Sequence, residues 1–472
     1  MQPAAFALSI DGRLVRTPET ADVINPATEE VICAVPLASK AHLDEAVHAA
    51  QVAFKSWRER PLADRQRLVS ALGDALEQHH ERFVELLITE QGKARAGAEW
   101  EIGGAIHWCR EIARQSLEDE VVEQDGDEQI ISRHTPIGVI GAITPWNFPV
   151  LLAIWKVAPA LVAGNTMVLK PSPFTPLCTL LLGELANQIL PPGVLNVLSG
   201  GNELGQWITE HPGIGKISFT GSTETGKRVM QSASVNLKRL TLELGGNDPA
   251  IVLADVDAKA IAKDLFWAAF SNSAQFCVAC KRLYVHEAVY DDVARELVAY
   301  AHTVRMGNGM QPGVDLGPLQ NRMQYEKVKD LLQDCQINQQ RFLIGGEASA
   351  AKGYFIPVTI IDNPPDDARC VTEEAFGPVL PLLRFSDVEE VIARANGTDF
   401  GLAASVWSND LEEAQRIARR LEAGTVWINH AHQFSPHIAF GGHKTSGLGI
   451  ENSLHGLAEY TNIQTVLQKA GH

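Results

Sequence analysis

GVIGAIT (Gly138–Thr144), TMVLK (Thr166–Lys170), VLNVL (Val194–Leu198) and KISFT (Lys216–Thr220) are four short apolar runs, each bounded by turn residues. Stretches with helical character lie between them, at Val150–Leu161, Leu177–Leu190 and Leu204–Glu210. Strand and helix in strict alternation predict a parallel sheet with helices on both faces, because parallel neighbours need a crossover between them. Such sheets take ligands at the carboxyl ends of their strands. A second alternating block, from Ala250 to about Ala404, suggests another α/β domain.

Upstream, Asp22–Val35 carries two β-rich runs around the turn signal Asn25-Pro26-Ala27-Thr28. Helices follow. Leu68, Leu72 and Leu76 make one apolar stripe, expected to pack on a sheet, and another helix is expected over Trp100–Leu117. Glu118–Glu128 reads as an acidic turn-like segment before a β-prone run at Gln129–Arg133. Downstream, Thr425–Asn429 is a candidate buried strand and Tyr460–Leu467 a terminal one.

At 472 residues, the chain is long enough for about two to four domains. Its formal charge of −17 repels phosphate backbones and anionic lipid, so no nucleic-acid or membrane partner is expected. Phe148–Leu169 is the most apolar stretch, but Lys156, Asn165 and several prolines and glycines break it as a membrane span. Seven cysteines without a regular framework suit a reducing cytoplasm, and Met1–Ile10 lacks the basic start of a signal peptide.

Four motifs carry chemistry. Gly221-Ser222-Thr223-Glu224-Thr225-Gly226-Lys227 has the letters of a P-loop, but Arg228 stands where Ser or Thr should hold magnesium. Its strand–loop–helix context also suits a dinucleotide pyrophosphate, or a plain turn. Phe276-Cys277-Val278-Ala279-Cys280-Lys281-Arg282 lacks the further ligands of a zinc site, so no metal is expected. That leaves a nucleophile or core thiols, and the polar flank and Lys281-Arg282 argue against a dry core. Glu243, between Leu242 and Leu244 before Gly245-Gly246, gains base strength if burial raises its pKa; an exposed strand end is the alternative. Asn147, in Thr144-Pro145-Trp146-Asn147-Phe148-Pro149, can donate to a developing oxyanion from a strand end.

Together these motifs resemble the aldehyde dehydrogenase superfamily, from Asn25-Pro26-Ala27-Thr28 to Gly441–Gly447, nearly the whole chain. The Glu243 motif and the cysteine 34 residues later are the most specific pair, and Glu374-Ala375-Phe376-Gly377-Pro378 completes the set. The resemblance implies an α/β fold of two doubly wound parallel-sheet domains and a small β oligomerisation arm. A coenzyme domain would span 1–117 and 137–245, a catalytic domain 246–455, and the arm 118–136 and 456–472, in a homodimer or homotetramer. It implies Cys277 as nucleophile, Asn147 and the Cys277 N–H as oxyanion donors, Glu243 as the base that releases the acid, and Lys156 in the catalytic set.

For NAD, with NADP possible, the resemblance implies Trp146, Lys170, Ser172, Pro173, Gly205, Phe219, Gly221, Ser222, Gly226, Leu244, Glu374 and Phe376. For the substrate tunnel it implies Phe148, Trp155, Phe276 and Phe434, and such aromatic walls suit an apolar or aryl aldehyde; His430, His432 and His437 in the nearby loop either contact a polar tail or are surface residues. Three departures stand out: Ala274 for a usual glycine, Pro173 where NAD-preferring relatives often carry glutamate, and Ile450 where arginine is common. The competing readings are a coenzyme A-acylating relative, a catalytically silent relative and a cysteine hydrolase. If Cys277 opens a helix, Cys280 shares its face and either captures an oxidised Cys277 or fills a small core site.

Overall fold

The computed structural model describes residues 6–126 and 128–469. Residues 1–5 and 470–472, at the outer ends of the expected coenzyme and arm segments, and residue 127 lie outside the described residues.

The first sheet has eight strands. Its parallel core runs Leu195–Val197, Thr166–Lys170, Val139–Ile143, Lys216–Thr220, Arg239–Glu243. Chain order reverses between Val139–Ile143 and Lys216–Thr220, which opens a crevice at the carboxyl ends of these two neighbours. The Leu8–Ile10/Arg13–Val15 hairpin covers one edge. Gly447–Leu448 pairs antiparallel with Leu242 and Glu243 at the other, so part of the segment expected to be catalytic returns to this sheet. The Leu68–Leu76 stripe lies on the Leu62–Gln78 helix and packs mainly on the neighbouring Arg95–Ile112 helix rather than on a sheet.

The second sheet has seven strands, in the order Phe342–Ile344, Thr359–Asp362, Val379–Phe385, Cys280–His286, Asp248–Val252, Ala403–Trp407, Thr425–Ile428. All are parallel to their neighbours except the first. Thr425–Ile428 is an edge strand, half-buried rather than buried, because it has one neighbour.

A third, three-stranded antiparallel sheet joins Glu120–Asp125, Glu128–Pro136 and Thr461–Lys469. The acidic segment expected as a turn is therefore mostly strand. Every residue of Glu120–Asp125 is exposed, so no apolar alternation marks it. The Asn25–Thr28 turn joins the Thr20–Asn25 and Glu30–Pro36 strands as expected.

Candidate active site

Glu243 ends its strand in the crevice. It is buried between Leu242 and Leu244, and neither carboxylate oxygen has a hydrogen-bond partner among the described residues. Burial pushes its pKa well above the usual carboxylate range; the Glu451 charge adds to this and Lys156 opposes it. A buried carboxyl with both lone-pair sets free is a base without a protein partner.

Cys277 comes from the other sheet. The Ala258–Phe270 helix stops, and Asn272, Ser273 and Ala274 adopt left-handed φ values of 54°, 55° and 58°. The Gln275 amide fastens this loop, donating to Asn272 O (2.9 Å) and accepting from the Gln320 N–H (2.8 Å). Ala274 therefore holds a conformation that glycine adopts without strain, at a cost of about 1–2 kcal/mol for a residue with a Cβ.

Cys277 follows in a turn and does not open a helix; the chain goes straight into the Cys280–His286 strand. The left-handed residues and the strand's demand for extended backbone explain the difference. Half-buried Cys277 packs against the core beneath the first sheet, whereas buried Cys280 belongs to the core around Phe266 and Leu283. Cys280 thus packs in a different core from the one Cys277 touches. Cys280→Ala enzyme, treated with mild peroxide and then dithiothreitol, should recover as much activity as wild type; clearly poorer recovery would restore the protective reading.

Cys277 and Glu243 face one cavity of about 490 Å³, walled by Phe148, Trp155, Phe276 and Phe434 among others. The aromatic wall is continuous: ring centroids are 4.6 Å apart for Phe148–Phe276, 5.9 Å for Phe276–Phe434 and 6.2 Å for Trp155–Phe434. His432 stacks on this wall. Its Nε2 lies 3.1 Å from the Val278 carbonyl, and burial lowers its pKa to about 4, so it is neutral there. His437 pairs with Glu111 on the surface, and His430 contacts Ala431 O.

Asn147 is buried, and its Nδ2 donates to Gln275 O (3.1 Å), two residues before the nucleophile. Its second amide proton has no recorded partner among the described residues. Sequence reasoning missed what braces it. Lys93 pairs with Glu101 in the core, donates to Asn147 O (3.0 Å) and lies 4.2 Å from the centre of the Phe148 ring. Glu101 accepts from the Val150 and Leu151 N–H groups that open the next helix. A signal existed: Glu101 sits with Ala98, Ile102 and Ala105 on the buried stripe of its helix.

Lys156 does not line the cavity. It donates to Glu451 (2.7 Å) and Ser218 (3.1 Å), and Ser218 in turn accepts from Tyr460 (3.1 Å), all buried. Glu451 also escaped the sequence reading.

On the opposite side of the crevice, Lys170 ends the Thr166–Lys170 strand, buried, with Nζ donating to Pro171 O (3.2 Å). Burial holds its pKa down near 8. An ammonium with one recorded partner retains donors for further oxygens, as ribose hydroxyls would require. Gly205, on the Asn202–Glu210 helix, faces the Lys170 stem. The Thr223–Ala233 helix begins just after the Lys216–Thr220 strand, and a Cβ on Gly226 would lie 2.5 Å from the Leu244 side chain, so only glycine fits there without a shift.

Phe219 is buried before this loop. Ser222 caps the helix by accepting from the Thr225 N–H (3.3 Å), and Ser172 accepts from the Phe174 N–H (3.3 Å), so each hydroxyl is engaged locally. Pro173 is exposed. Lys227 pairs with exposed Glu224 rather than reaching into a phosphate cradle, which removes the P-loop reading. Glu374 accepts from the Gly246 N–H (3.1 Å), and Phe376 meets Trp146 edge-on at 5.3 Å. The donors, the carboxylate and the anion-favouring helix start fit a nicotinamide dinucleotide. No group of metal-ligating side chains occurs among the described residues, and no helix there is long and apolar enough to cross a membrane.

A family model described as the aldehyde dehydrogenase family matches residues 15–466. Human retinaldehyde dehydrogenase 3 is 42% identical over 456 residues, covering 95% of this chain and 89% of that one. Aldehyde dehydrogenase 1A1 of Gallus gallus is 40% identical, covering 95% and 90%. The NAD+ complex structure of an aldehyde dehydrogenase from Bacillus cereus superposes with a TM-score of 0.97 at 36% identity, covering 99% of this chain and 97% of that one. With the cysteine and the carboxylate in one cavity and a dinucleotide crevice beside it, the chain belongs to the aldehyde dehydrogenase family and is an NAD(P)-dependent oxidoreductase that oxidises aldehydes.

Proposed function

We propose that this enzyme oxidises apolar or aryl aldehydes to free carboxylic acids through a thioester on Cys277. The observation that carries this reading is the unpartnered, buried Glu243 carboxylate sharing an aromatic cavity with Cys277. Burial pushes the Cys277 thiol up to about 12, so the free enzyme holds it protonated, and the proton passes to water as the sulfur attacks the carbonyl, with Glu243 acting only in the later step. Asn147 Nδ2 and the Cys277 N–H steady the resulting oxyanion. Bound NAD+ accepts the hydride that turns the thiohemiacetal into the thioester. Glu243 then takes a proton from water as it attacks the thioester. Lys156 acts at a distance, through its charge on Glu243 and its bond to Glu451.

On the cofactor side, Lys170 and Glu374 hold ribose hydroxyls, Gly221 to Gly226 border the pyrophosphate, and Phe376 with Trp146 borders the nicotinamide ribose. Gly205, Phe219 and Leu244 shape the walls; Ser172, Pro173 and Ser222 support the turns. Residues 6–117 and 137–245 form the coenzyme unit, with Gly447–Leu448 on its sheet edge; the rest of 246–455 forms the catalytic unit, and 118–126, 128–136 and 456–469 form the arm. Val121, Val122, Ile463 and Leu467 are exposed on that arm, which supports a homodimer or homotetramer.

Without a carboxylate at Pro173, discrimination between NAD and NADP should favour NAD weakly, within about two powers of ten in kcat/KM, or roughly 3 kcal/mol. A panel of short, branched, aryl and charged aldehydes, run with both cofactors and followed at the nicotinamide band, tests both statements. Aryl and apolar aldehydes should show the highest kcat/KM. A preference for charged aldehydes would overturn the substrate reading, and a far larger cofactor ratio would show that other residues decide the choice.

A further inference from the structure

Lys281 lies where the nucleophile loop, the second sheet and the cofactor crevice meet. It is the second residue of the Cys280–His286 strand, and its side chain is 5% exposed. Its Nζ donates to the carbonyl of Cys277 itself (2.7 Å) and to that of Phe276 (3.1 Å). Glu374 Oε1 lies 3.4 Å away. These three contacts match the three protons of an ammonium. One side chain thus folds the Phe276–Lys281 turn back on itself and ties it to the carboxylate proposed to hold a ribose.

The charges around the thiol make this cation matter. Glu243 faces Cys277 from the first sheet, Asp248 from the adjoining strand and Glu374 from the loop after the Arg369–Thr372 helix; each disfavours a thiolate, and Lys281 opposes them. His432, packed on Val278 from the loop after the edge strand, is neutral. Arg282, next in sequence, spends its guanidinium on Asn247 O, Arg394 O, Ala395 O and the Tyr284 hydroxyl, away from the thiol.

We propose that Lys281 is a positioning residue that couples the cofactor-side carboxylate Glu374 to the nucleophile, holding the Cys277 backbone in place and supplying the positive charge that favours its thiolate. This rests on the roles proposed for Cys277 and Glu374. Lys281→Gln separates charge from packing, because an amide still donates to the two carbonyls; Lys281→Arg keeps the charge.

The test is the rate of iodoacetamide inactivation at pH 8, with the modified peptide identified by mass, together with KM for NAD+ and for one good aldehyde. In Lys281→Gln that rate should fall about tenfold and KM for NAD+ should rise about tenfold, with the aldehyde KM held within about twofold. Lys281→Arg should restore both. A rate and a KM for NAD+ unchanged in folded Lys281→Gln would overturn the proposal. Should that variant fail to fold, Glu374→Gln carries the test: freeing the ammonium from its carboxylate should raise the rate, and an unchanged one would overturn the coupling. Inactivation without modification of the Cys277 peptide would instead defeat the underlying assignment of the nucleophile.

Discussion

Glu243→Gln enzyme, mixed rapidly with NAD+ and a good aldehyde, should give a full burst of reduced cofactor and then turn over about 10²–10⁴-fold more slowly than wild type. The burst survives if hydride loss needs Cys277 and Asn147 but not this carboxylate. The slow phase follows because an amide cannot take a proton from water. The pH dependence has a definite sign. Burial raises the pKa of Glu243, and a base works only when deprotonated, so wild-type acid release falls as pH drops through a value above the ordinary carboxylate range. The glutamine variant should lack that acid limb. Wild-type steady-state rates in Glu243→Gln would remove Glu243 from the chemistry.

The second large effect is expected directly behind the oxyanion donor. Lys93→Met should destabilise the fold by about 3–5 kcal/mol, because it leaves Glu101 charged and unpaired in the core. It should also lower kcat more than it changes KM for the aldehyde, since the Lys93 bond to Asn147 O is part of what fixes the oxyanion donor. Replacing both partners, as Lys93→Met with Glu101→Met, should cost clearly less than the sum of the two single changes, because no lone charge is then buried. Denaturant melts of the four proteins measure this, and strictly additive losses would contradict the pairing.

The sequence disclosed the parts of the fold that local pattern controls. Thr166–Lys170 and Lys216–Thr220 read to the residue because β-prone runs are cut by glycine or proline turns on each side. Glu120–Asp125 did not, since a strand exposed on both faces has no reason to alternate. Cys277, Glu243 and Asn147 stood out as candidates because they sit at strand ends and turns, and the resemblance gave them their roles. Lys93, Glu101 and Glu451 were not, because an isolated lysine or glutamate reads as surface until the fold supplies its partner. The loop before Cys277 misled for a related reason: three residues in left-handed backbone interrupt a segment whose composition permits a helix.

The central claim is that Cys277 carries the acyl group that Glu243 releases. The most direct measurement is an acid quench of Glu243→Gln enzyme at the end of the burst, followed by peptide mass analysis. The Cys277 peptide should gain the mass of the aldehyde less two hydrogens, in proportion to the cofactor reduced, as a thioester requires. A full burst with an unmodified Cys277 peptide would contradict the account.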